Sequence, residues 1–186
     1  MSDELRPADV FLTWGRGFIS AAIRFFSRHL GESRTVVNHV GIVVAGGPVQ
    51  QAVVIEALSR VRRHRLAARY GGKRGHLVAV YRPVTLSDAE RARVVRKAED
   101  YEGREYGYLV IAAHFLDWLL LGAYVFRRLV NQERYPICSW VVASAFAKVG
   151  RHFGVAPGAA TPDDIWDFVT KHPEEYLLVR PLAPLP

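Results

Sequence analysis

The chain of 186 residues contains a single cysteine. One thiol cannot close an intramolecular disulfide, and it cannot supply the several thiolates of a Cys-based zinc cluster. Nothing in the sequence therefore demands an oxidising compartment. No Gly-rich phosphate loop occurs and the seven histidines show no metal-ligand spacing, so neither a cofactor nor a metal is expected. Low-complexity tracts, repeats and linkers are also missing. With half of its residues hydrophobic, the chain is expected to form one compact unit with a sizeable core. The segment from Met1 to Pro7 is acidic and polar and does not lead into a signal-peptide apolar core. A cytoplasmic location is expected, peripheral to a membrane in one reading.

Acidic residues are in deficit, 18 against 25 Lys and Arg, for a formal net charge of +7. Such a surplus attracts anionic partners, lipid head groups or nucleic acid, without choosing between them. Much of it falls on Arg60, Arg62, Arg63, Arg65, Arg69, Lys73 and Arg74, a stretch without an acid. Tyr70 and Gly71-Gly72 do not turn it into an aromatic-interleaved nucleic-acid motif, so no specific nucleic acid is expected. A solvated helix and loop is the expected form, with an anion-binding surface as the alternative.

What is present centres on Tyr135-Pro136-Ile137-Cys138-Ser139-Trp140 and the apolar run that follows. A proline just before a helical pattern marks a helix start, which puts Cys138 in the first turn. Free backbone N–H groups and the helix dipole favour a thiolate there. The competing reading is a small buried hydrophobe.

Upstream, Asp9 to Thr13 reads as a strand, Trp14-Gly15-Arg16-Gly17 as a turn, and Phe18, Ile19, Ala22, Ile23 and Phe26 as an amphipathic helix ending near Gly31. His39 to Val44 and Ala52 to Leu58 are β-rich and flank a turn signal at Gly46-Gly47-Pro48. Pairing about a centre between Gly47 and Pro48 sets His39 directly opposite Glu56, where a carboxylate fixes an imidazole tautomer. A wider loop through Gln50 and Gln51 would shift that pairing, and a slip of one residue would turn the carboxylate to the other face.

His76 to Arg82 reads as a strand ended by Pro83, and Ser87 with Glu90 as the capping box of a helix reaching to Gly103. The stretch from Tyr106 to Arg128 is the most apolar in the chain, although His114 and Asp117 argue against a membrane span. A buried helix pair, a membrane-surface element and the wall of an acyl-chain pocket remain open for it. Thr161 and Pro162 start another helix, and Tyr176 to Arg180 is the last strand.

The ordered segments Asp9-Val10-Phe11-Leu12-Thr13, Asn38-His39-Val40-Gly41-Ile42-Val43, Val54-Ile55-Glu56-Ala57, Gly103-Arg104-Glu105-Tyr106, Cys138-Ser139-Trp140-Val141-Val142 and Thr161-Pro162-Asp163-Asp164-Ile165 resemble the YiiX-like proteins. These are circularly permuted members of the NlpC-type, papain-like superfamily, more distantly similar to lecithin:retinol acyltransferase. The resemblance implies a single α+β domain over 1–186, a permuted papain-like fold with an antiparallel sheet packed against a helix carrying the cysteine. An apolar helical insertion falls at about 106–131. It further implies Cys138 as nucleophile, His39 as general base and Glu56 as the group orienting the imidazole. Tyr106, Ser139 and Trp14 are candidates for substrate contact. The acid that usually follows the tyrosine is Gly107 here, so no role transfers to that position.

The expected function is a cysteine hydrolase, amidase or peptidase, acting through a thioester on an amide- or ester-containing substrate, peptide or lipid-linked. Lipid acyl hydrolysis or acyl transfer at an anionic membrane surface is one alternative. A non-catalytic module binding membrane or a partner is the other.

Overall fold

The computed structural model describes residues 4–15, 36–72, 76–107 and 133–186. The amphipathic helix expected after Gly17, nearly all of the apolar stretch with His114 and Asp117, and Lys73 and Arg74 lie outside the described residues. In chain order the strands are β1 (Glu4–Leu5), β2 (Val10–Gly15), β3 (His39–Ala45), β4 (Gly47–Pro48), β5 (Val53–Ala57), β6 (Val61–Arg65), β7 (His76–Pro83) and β8 (Tyr176–Ala183). The helices are α1 (Leu66–Tyr70), α2 (Asp88–Glu99), α3 (Cys138–Ala147) and α4 (Pro162–Lys171).

Six strands form one sheet in the order β6-β5-β3-β2-β7-β8, every pair antiparallel, while β1 and β4 pair separately. Strand alternation sorts the side chains into two cores. Val10, Leu12, Val40, Ile42, Val44, Ile55 and Ala57 join the buried residues of α2, α3 and α4 on one face. Phe11, Val43, Val54, Val78 and Val80 join Leu66 and Tyr70 of α1 on the other. The architecture is α+β, as expected from the sequence.

Gly41 is demanded by this packing. A Cβ there would lie 2.4 Å from the Phe11 ring and 2.7 Å from the Ile55 carbonyl oxygen, so only glycine lets Phe11 cross under β3. At the helix starts, Ser87 accepts from the Glu90 N–H and Thr161 from the Asp164 N–H, and the acid side chains return to the cap N–H groups. Both capping boxes satisfy donors that would otherwise be orphaned at a helix end.

Three expectations are corrected. The arginine-rich stretch is an edge strand followed by a five-residue helix, not a solvated helix and loop. Its Arg63 pairs with Glu99 at 2.6 Å and Glu102 at 3.3 Å, while Arg62 and Arg65 are exposed. Charged side chains on an edge strand discourage pairing with another chain, which accounts for a strand with so little hydrophobic alternation. The α2 helix stops at Glu99, with turns to Gly103 at φ 84°. The last strand runs on to Ala183, with irregular pairing to β7. Among the described residues no helix is long and apolar enough to cross a membrane.

Candidate active site

Cys138 opens α3, as its position after Pro136 predicts. This helix is apolar nearly all round because it lies between α2 and the sheet, and eight of its ten residues are buried. Its N-cap, Ile137, makes no side-chain hydrogen bond, and no acid lies in the first turn. The N–H groups that a polar cap would occupy are thus left for whatever lies at the helix start. The thiol is 3% exposed. Burial pushes its pKa up, but the His39 imidazole beside it and the backbone N–H groups of Val40 and Ser139 bring it below the ordinary 9.0.

His39 is the first residue of β3, with 14% of its side chain exposed. Its Nε2 hydrogen-bonds Glu56 Oε2, and the ring lies beside the Cys138 thiol. Burial opposes a charge on the ring. The Glu56 carboxylate and the Cys138 sulfur outweigh it and raise the imidazole from 6.5 to about 10. A lowered thiol and a raised imidazole both shift the pair toward thiolate and imidazolium.

The contact between His39 and Glu56 is realised, but not through the expected register. Ile42 faces Ile55 and Val43 faces Val54, so Glu56 falls level with Gly41 rather than His39. The cause is the loop. Gly47-Pro48 pairs with β1 instead of forming the hairpin tip, the chain turns over Pro48 to Ala52, and a bulge sets Ala45 against Val53. The displacement is two residues, which preserves the face, and the Glu56 side chain reaches His39 diagonally across the side-chain-free Gly41.

Glu56 is wholly buried, and burial raises its pKa. Its hydrogen-bonding neighbours reverse that, His39 foremost, and hold the carboxyl well below its ordinary 4.5. Tyr70 donates its hydroxyl to Oε2 at 2.6 Å. On β6, His64 Nε2 lies 2.8 Å from Oε1, although neither atom has a well-aligned hydrogen bond among the described residues. The His64 contact is therefore an electrostatic one. Tyr70, buried against this carboxylate, is pushed above its ordinary 10.0 and stays a phenol donor.

The candidates for substrate contact are placed differently. Ser139 is fully buried beside the thiol, its Oγ without a hydrogen-bond partner among the described residues. Trp14 is half-buried on β2, one residue beyond the level of His39. Tyr106 shares the core that contains Cys138, and the next residue's N–H bonds the Pro136 carbonyl at 3.2 Å. His64 and Tyr70 were not anticipated. The spacing of Leu66 and Tyr70, four apart and both buried, was the available sign of a helix turned inward.

Geometry and fold together define an α+β protein with a thiol, an imidazole and a carboxylate in line at the end of an antiparallel sheet. Its fold is YiiX-like: it matches the metalloprotein YiiX from Escherichia coli O157:H7 with a TM-score of 0.54, over 97% of this chain and 89% of that one, at 17% identity. No protein-family model matches the chain, and neither does any curated protein. The described residues do not fit a metal centre. Within the site the nitrogen and oxygen donors face each other, His39 to Glu56 and His64 to Glu56. Among the described residues no group of three or more His, Cys, Asp and Glu side chains is disposed to hold an ion.

Proposed function

We propose that this protein is a cysteine-dependent hydrolase, an amidase or peptidase, built on a circularly permuted papain-like fold of the NlpC type. The observation that carries the reading is the placement of His39, hydrogen-bonded to the Glu56 carboxylate and beside the Cys138 thiol. A buried thiol with no such partner would be an inert hydrophobe.

In this mechanism the Cys138 thiolate attacks the substrate carbonyl carbon, and a C–S bond forms as the carbonyl π electrons move to oxygen. Backbone N–H groups at the uncapped start of α3 receive that oxyanion. The oxyanion collapses, the amine leaves with the proton from His39, and a thioester remains on Cys138. Neutral His39 next takes a proton from water, whose oxygen attacks the thioester; the tetrahedral adduct collapses, the C–S bond breaks, and the acid product leaves with Cys138 again a thiolate beside the His39 imidazolium. Glu56 keeps the imidazole oriented and compensates its charge throughout. Ser139, Trp14 and Tyr106 serve in substrate contact on this reading, and no step uses a metal or cofactor.

A second reading, lipid acyl hydrolysis or transfer at an anionic membrane surface, draws on the net charge of +7 and on exposed Arg62 and Arg65, carried by the strand next to Glu56. One experiment addresses both. After incubation with peptide or lipid extracts, mass spectrometry of the Cys138 peptide should show an acyl adduct in the wild type and none in His39→Ala. An adduct from lipid alone would select the second reading. Absence of adducts with both extracts, alongside ordinary thiol reactivity in both proteins, would sink the hydrolase.

A further inference from the structure

The expected triad leaves two neighbours of Glu56 without a role. Glu56 is one of the largest fully buried side chains, and among the described residues no lysine or arginine pairs with it. A buried carboxylate without adequate donors is costly, so the groups around it decide whether it stays ionised and where it points. Three elements face it: β3 with His39, β6 with His64 and exposed Arg62, and α1 with Tyr70, beside which Arg69 lies. Tyr70 and His39 share Oε2, and His64 Nε2 lies 2.8 Å from Oε1 without a well-aligned hydrogen bond, so each carboxylate oxygen has a neighbour.

We propose that His64 and Tyr70 are positioning residues of the reaction. By engaging the two Glu56 oxygens from β6 and α1, they stop the carboxylate from rotating away from His39 Nε2 and so hold the imidazole against the Cys138 thiol. Neither touches the reacting atoms. A glutamate has three side-chain torsions and a single contact to His39 leaves the end of the chain free to turn; contacts at both oxygens do not. The Tyr70 ring is itself fixed by Phe11, with centroids 6.1 Å apart, and by Leu66 in the same core. This inference rests on the thiol chemistry proposed above and is tested so that the two fail separately.

The test is the pH profile of iodoacetamide alkylation of Cys138 in the full chain. At pH 6 Tyr70→Phe should react about tenfold more slowly than wild type, the scale of one hydrogen bond to a charged group, and His64→Leu, which gives up an electrostatic contact, about threefold more slowly, each with the midpoint moved to higher pH. His64→Gln keeps an N–H where Nε2 sits and should restore the wild-type profile. A purely structural role would lower the melting temperature without moving that midpoint. Tyr70→Phe keeps the ring packing and decides the matter should His64→Leu not fold. Wild-type profiles in His64→Leu and Tyr70→Phe would overturn the inference, provided His39→Ala is slow. A wild-type profile in His39→Ala would instead remove the hydrolase reading itself.

Discussion

Two carboxylates are wholly buried in this sheet, Asp9 beside β2 and Glu56 in β5, and they are neutralised by opposite means. Asp9 takes a two-pronged contact from Arg82, Nε to Oδ1 at 3.0 Å and Nη2 to Oδ2 at 2.8 Å, with the Arg6 N–H at 2.8 Å and Arg91 at 3.9 Å. Those partners carry permanent charge and fixed geometry. Among the described residues Glu56 meets no permanent charge at contact distance, only two imidazoles and a phenol that stays protonated. A carboxylate clamped by guanidinium ties down strands; one faced by imidazole can support a proton in transit. On the proposed hydrolase reading, the residue that answers a buried acid separates structural from chemical use within one sheet.

The largest effect that would sharpen this contrast is in His39→Ala. Without the imidazole, only the Val40 and Ser139 N–H groups oppose burial at Cys138, and alkylation at pH 6 should fall about a hundredfold. A rate equal to wild type would erase the distinction between the two acids. Asp9→Asn should behave inversely, losing about 3 kcal/mol of unfolding free energy while leaving the alkylation rate unchanged, because it strands half-buried Arg82 without its counter-charge. Urea denaturation beside alkylation reads both quantities.

The pH dependence of stability follows from the signs of the shifts. The raised pKa of His39 contributes stability that is complete below 6.5 and is lost as the pH climbs through about 10. The lowered pKa of Glu56 contributes above 4.5 and is lost as acid reaches its folded-state value. The lowered pKa of Cys138 adds stability as the pH rises towards 9.0 and offsets the loss at His39, so urea midpoints should decline chiefly as the pH climbs from 9.0 through about 10 in wild type and less steeply in His39→Ala. The smallest effect belongs to Arg82→Lys, which keeps the charge and gives up the fork, at a cost of about 1 kcal/mol with no change in thiol reactivity.

Local signals carried much of this molecule. Pro136 placed the start of α3, and Ser87-Glu90 and Thr161-Pro162 placed the starts of α2 and α4, because caps and proline act within a single turn. The partnership of His39 and Glu56 was also legible, since a displacement of two residues leaves side-chain parity intact. The register itself was not, because Gly47-Pro48 answers to β1, at Glu4 and Leu5, rather than to its own hairpin. His64 was hidden for a related reason. Val61-Arg62-Arg63-His64-Arg65 has no hydrophobic alternation to betray a strand, and only its ladder with β5, Val54 opposite His64 and Glu56 opposite Arg62, turns that imidazole toward the carboxylate.

The solitary cysteine also sets how the site would meet oxidants. A thiolate held ready for attack is the form that peroxide converts to sulfenic acid. With no second cysteine in the chain, that sulfenic acid has no internal thiol with which to condense. At 3% exposure Cys138 is also poorly placed to meet the thiol of another protein. Recovery of the oxidised site falls to small diffusible thiols able to reach the start of α3, and without them further oxidation to the sulfinic acid would be irreversible.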